Sequence, residues 1–167
     1  MYASDVVRSL APRFYPEDRF YSDTDAAFQI LVERDFGFVH QILSFTRYQA
    51  GSITHNVDKF STRQIDRVLS LHYYGQIFLT PEEFERTMSK AWRVYYEKIG
   101  SQWLLDRIGK VQPGFWDFHE KRLSAIGMTI DRKRLAIGAA TAAARAAGSP
   151  GEAIKHFVQQ RRPREQP

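Results

Sequence analysis

The sequence predicts an all-α protein: an irregular or orthogonal bundle of six to eight helices around an aromatic-rich core. Three observations predict it. Helix-start signals recur along the chain, apolar residues repeat at three- and four-residue spacing, and strand-type alternation is missing. A length of 167 residues is enough to bury a real core. Its 12 Phe, 8 Tyr and 3 Trp give that core much area and leave rings over for a partner surface.

The helix starts are the most legible signals. Thr80-Pro81-Glu82-Glu83 sets a Thr cap, a proline at the first helical position and a carboxylate three residues after the cap. Ser149-Pro150-Gly151-Glu152 repeats the arrangement, and Ser61 with Gln64 makes a third capping box. Ser22 followed by Asp23 and Asp25 places acids near the positive end of a fourth helix. Gly51, Gly100 and Gly148 are expected helix stops.

Together these predict helices at 3–11, 23–50, 62–78, 81–99, 102–110, 114–127, 130–147 and 150–162. The 81–99 segment has the cleanest faces. Phe84, Met88, Ala91, Trp92, Tyr95 and Ile99 fall on one side; Glu82, Arg86, Ser89, Arg93 and Glu97 fall on the other. Small residues dominate from Ala136 to Ala147, so that helix can approach a neighbour closely.

Residues 1–162 read as one helical domain and 163–167 as a flexible basic tail. Within the domain, 12–21 holds two prolines and four aromatics and cannot be helical throughout. It is expected to be an extended strap over the bundle, the alternative being an exposed aromatic docking motif.

Several function classes are excluded or left without support. The chain has no Cys, which rules out disulfides, thiolate metal sites and cysteine nucleophiles. Glycine-rich phosphate loops and a G-x-S-x-G elbow are missing, so no catalytic residue is assigned. His40, His55, His119 and His156 lack ligand spacing, and no metal or other cofactor is expected. Asp5, Arg8 and Arg13 interrupt any leader-like run near Met1, and no apolar run approaches the roughly 20 residues of a membrane span. The expected location is cytoplasmic.

Two polar residues stand in apolar stripes. Asp35 falls among Phe28, Leu31, Val32, Phe38, Val39, Ile42 and Leu43, and His72 among Ile65, Val68, Leu69 and Tyr73. A charge in a core needs a partner or a change of protonation, so Asp35 and His72 are expected to be a buried, paired couple. Such a pair serves either as a satisfied core contact or to orient an imidazole for base catalysis. His72 followed by Thr80-Pro81-Glu82-Glu83-Phe84 resembles the proximal side of globins over about fifteen residues. That resemblance implies haem ligation at His72, while the long 23–50 helix departs from the globin pattern.

Charge is unevenly placed. Residues 131–167 hold eight basic side chains against three acidic ones, which accounts for the whole net charge of +5. Arg132, Lys133 and Arg134 open one helix, against its dipole; Lys155, Arg161, Arg162 and Arg164 follow on the last helix and tail. The expected function is therefore a non-catalytic binding or regulatory protein. Its partner would be an acidic protein or nucleic acid, held through those seven residues. The competing expectation is a ligand-binding or enzymatic bundle centred on Asp35 and His72. Homo-oligomerisation is left open.

Overall fold

A computed structural model describes residues 4–9, 22–37, 40–41 and 60–148. Of these, 77% are helical and none is in a strand, so the chain is an all-α bundle of about six helices, as predicted. The helices among the described residues are α1 (Ser4–Ser9), α2 (Ser22–Leu31), α3 (Thr62–Phe78), α4 (Pro81–Asp106), α5 (Phe115–Ser124) and α6 (Arg132–Gly148). The chain divides into two compact units, 1–89 and 90–167, with the division inside α4.

In the first unit, α2 opens with Asp23 and Asp25 in its first turn, as the acid pattern predicts. It does not run to residue 50. The Val32 and Glu33 amides close its last turn on the Phe28 and Ile30 carbonyls at 3.2 and 3.1 Å, and the chain leaves the helix. Asp35, Phe36 and Gly37 follow, all poor helix formers, and local propensity outweighs the apolar periodicity there.

Helix α3 has the predicted bounds and buries Thr62, Ile65, Val68, Leu69 and Gly75. Its start is not the predicted capping box. Ser61 takes the left-handed conformation, φ 51°, and makes no side-chain cap bond. Its Oγ is buried with no hydrogen-bond partner among the described residues.

The α3–α4 corner follows from Thr80 and Pro81. A residue before proline is pushed out of the helical region, and Leu79, already extended, donates its N–H to the Gly75 carbonyl at 2.9 Å. Thr80 and Glu83 then form the predicted box. Glu83 N–H donates to Thr80 Oγ1 at 3.3 Å, and Thr80 N–H donates to Glu83 Oε2 at 3.0 Å. The Thr80 amide, then its hydroxyl, hold the Glu83 carboxyl below the usual carboxylate range. Gly75 lets the Phe84 ring close on this corner, for a Cβ there would lie 2.7 Å from that ring and push it aside.

In the second unit, α4 runs through Gly100 to Asp106, so the predicted stop at Gly100 and the separate 102–110 helix are not found. Gly100 serves as a contact surface. A Cβ there would sit 2.6 Å from the Gly138 carbonyl carbon, and one on Gly138 would sit 2.5 Å from the Tyr96 carbonyl carbon. α4 and α6 thus cross backbone to backbone, the close approach that the small residues of 136–147 predict. Around this crossing lie the buried Ala91, Tyr95, Tyr96, Ile99, Phe115, His119, Leu123 and Ala139. α5 begins after Gly114, at φ 77°, and its exit turn uses Gly127, at φ 71°, with Met128 N–H on the Leu123 carbonyl at 3.0 Å. α6 is described as far as Gly148, and the residues that would show the predicted stop there lie outside the described residues.

The 12–21 strap, the 150–162 helix with its Ser149 cap, the 163–167 tail and Gly51 lie outside the described residues. No helix among the described residues is long and apolar enough to cross a membrane.

Candidate functional site

The basic start of α6 is built from two anchors. Asp131 is the first, at the cap position: its Oδ1 accepts the Lys133 N–H at 2.8 Å and the Arg134 N–H at 3.1 Å. This carboxylate offsets the three cations that oppose the helix dipole, and the charge reading of the sequence had not assigned it that role. The second anchor is Tyr96 of α4, whose hydroxyl oxygen accepts the Asp131 N–H at 3.0 Å. Burial raises the Tyr96 hydroxyl above the ordinary tyrosine range, against the lowering effect of that hydrogen bond.

On this frame the basic side chains divide in two. Arg134 lies 3.6 Å from the Asp131 carboxylate, with its guanidinium 6.0 Å from the Tyr96 ring centroid. Arg145, near the other end of α6, pairs with Glu97. Arg132 and Lys133 are exposed and make no ion pair among the described residues. Because Asp131 occupies two of the helix's leading amides, an anion arriving here would meet side chains more than backbone N–H groups. Lys155, Arg161, Arg162 and Arg164 lie outside the described residues.

The expected buried pair of Asp35 and His72 is corrected. Asp35 is exposed in the non-helical stretch after α2, so a helical projection does not apply to it. His72 is exposed on α3, its ring edge-on to Tyr73 at 5.3 Å. Both groups stay in water, which spares them the cost of desolvation. The globin-like reading of His72 gains no support from a ring that is exposed on α3. Among the described residues no three His, Asp or Glu side chains gather as a metal site requires.

A different buried polar pair exists, which the reading of the sequence missed. The Tyr95 hydroxyl and His119 Nδ1 are 3.1 Å apart, with both side chains fully buried. Phe115 packs on the imidazole at 4.5 Å between ring centroids and Phe118 edge-on at 5.2 Å. Burial, and next the neighbouring Tyr96, push the Tyr95 hydroxyl far above its ordinary range. Closed off from solvent, the pair is a core contact. The signal was available: His119 stands four residues after Phe115 and four before Leu123, on the buried stripe of α5.

Beside the basic start of α6 the second unit carries an open groove of about 900 Å³. Trp103 and Asp106 of α4, Trp116, Asp117, Glu120 and Lys121 of α5, and Arg132 of α6 line it. Comparison with protein-family models, with curated proteins and with solved structures gives no match to this chain.

Proposed function

We propose that the protein is a non-catalytic binding protein that engages an acidic partner through its basic C-terminal region, centred on the start of α6. One observation carries the reading: Arg132 and Lys133 are exposed and outside any ion pair among the described residues, on a helix of 17 residues without a single acid. Tyr96 and Asp131 hold that turn in place, which supports a preformed surface over one ordered on binding. Lys155, Arg161, Arg162 and Arg164 add charge of the same sign further along the chain.

Fluorescence anisotropy with two labelled probes, a duplex DNA and an oligoglutamate peptide, tests the proposal and separates its two partner classes. Binding of at least one probe is expected, weakening as salt rises from about 50 to 200 mM. For the duplex, the slope on logarithmic axes should fall by about 0.9 for each phosphate contact removed in a variant carrying Arg132→Gln, Lys133→Gln and Arg134→Gln. Gln at Arg161, Arg162 and Arg164 should weaken binding with the melting temperature unchanged. Wild-type protein that binds neither probe at low salt, or variants that bind as wild type does, would overturn the reading.

A further inference from the structure

Between residues 90 and 148 the chain has eleven Lys and Arg against five Asp and Glu, so every acid there has cations to choose from. Two of the five are engaged: Glu97 with Arg145, and Asp131 with Arg134 and the leading amides of α6. The other three, Asp106, Asp117 and Glu120, make no ion pair among the described residues, and all three line the same groove as Trp103 and Trp116. The Trp116 Nε1–H donates to Asp106 Oδ2 at 3.0 Å, which orients the indole and leaves the second carboxylate oxygen for another donor. At Trp103 the fold displays the chemistry itself: the chain's own Arg107 guanidinium lies over one face of that ring, 4.4 Å from its centroid, which leaves the other face for a partner.

We propose that this groove recognises the arginine side chain of a partner peptide. Indole faces attract cations, and a planar guanidinium both stacks on them and forks onto carboxylates, which an ammonium does less well. Lys121 and Arg132 also line the groove and leave it one net negative charge, matching a single cationic side chain and not a polybasic run. Met128, Ile130 and Leu135 supply apolar surface for the arginine stem. The groove is open, and its volume is near the upper end for small-molecule sites, so it suits an extended segment better than an enclosed metabolite. The groove shares Arg132 with the basic surface, but its recognising groups are the carboxylates and indoles of α4 and α5, so this inference does not rest on that surface binding an acidic partner.

Nitrogen-resolved NMR of the full chain tests it, because each tryptophan contributes one indole N–H signal. A capped Gly-Ala-Arg-Ala-Gly peptide should shift the signals of Trp103 and Trp116 and leave that of Trp92 in place. Its citrulline twin, neutral and of the same shape, should bind at least about tenfold more weakly, given the strength of charge-assisted hydrogen bonds. The double change Asp117→Asn and Glu120→Gln should weaken the arginine peptide by a similar factor. Those carboxylates are exposed, and an unmoved Trp92 signal checks that the variant is folded. Trp103→Phe is the second variant, expected to weaken binding through the lost indole face. Equal binding of the citrulline twin, wild-type affinity in both variants, or no shift at 10 mM peptide would overturn the proposal. So would spermidine moving the same signals with equal affinity, since the groove would then take any small organic cation.

Discussion

Between residues 90 and 148 Tyr95, Tyr96 and Phe115 are buried and Trp92, Trp103, Trp116 and Phe118 half-buried, whereas no described ring of the first unit is buried: Phe28, Phe60, Tyr74 and Phe84 are half-buried and Phe36, Tyr73 and Phe78 exposed. Both units are rich in rings, so composition does not decide the outcome. A large side chain is enclosed only when neighbours close on several sides and its polar tip has a partner. The second unit meets both needs. Gly100 and Gly138 bring two helices into backbone contact, Tyr95 meets His119, and Tyr96 receives the Asp131 amide. In the first unit Phe28 stacks on Tyr74 at 5.4 Å and lies near Phe78 at 5.9 Å, yet Phe78 remains 43% exposed. Charge divides along the same line. Residues 1–89 have nine basic and twelve acidic side chains, and residues 90–167 have fifteen and seven.

Three substitutions test that contrast. The largest effect is expected from Gly138→Ala. Helix propensity alone favours Ala by about 1 kcal/mol, but the clash with Tyr96 should turn this into a net loss of about 2–3 kcal/mol. Urea unfolding followed by tryptophan fluorescence reads this unit directly, because Trp92, Trp103 and Trp116 all belong to it. Gly148→Ala, with nothing near its added methyl, is the matched control and should stay within about 0.5 kcal/mol of wild type. Equal effects at the two glycines would remove the crossing as the basis of the contrast.

A smaller loss, about 1–2 kcal/mol, is expected from Tyr95→Phe, which leaves His119 Nδ1 buried without that hydroxyl. The variant also carries a pH signature. The folded state raises the tyrosine's proton affinity, so above pH about 10 the unfolded chain binds fewer protons than the folded one. Stability is therefore complete below that pH and falls as alkalinity rises. Tyr95→Phe should flatten the fall seen by circular dichroism between pH 9 and 11, leaving the part due to Tyr96. An unchanged alkaline limb would show that the buried hydroxyl is not linked to folding.

The smallest effect belongs to the first unit and has the opposite sign. Ser61→Gly should stabilise by about 1 kcal/mol, because glycine adopts positive φ without the Cβ penalty and the unsatisfied buried Oγ disappears. A lower melting temperature would show that the Ser61 side chain has a role its surroundings do not reveal.

What was legible in the sequence was what local signals set. Helix α3 lies between Ser61 and a proline corner, and both its bounds could be read; the two faces of 81–99 followed from spacing alone. The failures have two causes: a deciding neighbour far along the chain, or a local signal overridden by apolar periodicity or by a charge count. Gly100 reads as a stop until Gly138, 38 residues later, gives it a reason to sit inside a helix. Asp35 seemed buried only because apolar residues on both sides were assigned to one helix, and Asp35-Phe36-Gly37 ends that helix's pattern locally. In the charge count Asp131 is one of three acids against eight bases, although its place before Arg132 makes it the cap. Of the candidate site, the basic triplet was visible and its anchoring by Tyr96 was not, since that bond joins residues 35 apart.

The glycine crossing also acts as a ruler. Gly138 presses on the carbonyl of Tyr96, and seven residues earlier Asp131 reaches the hydroxyl of that same tyrosine. Seven residues are nearly two helical turns, a rise of about 10 Å, so one residue, through its backbone and its side chain, checks the position of α6 at two heights. A slide by one turn would set Ala142 where Gly138 now fits, and its methyl has no room there. Inserting or deleting one residue between 131 and 138 would swing the cap by about 100° around the helix axis. This stretch should therefore tolerate changes of side chain far better than changes of length, and the aim of Arg132 and Lys133 is set by a count of residues.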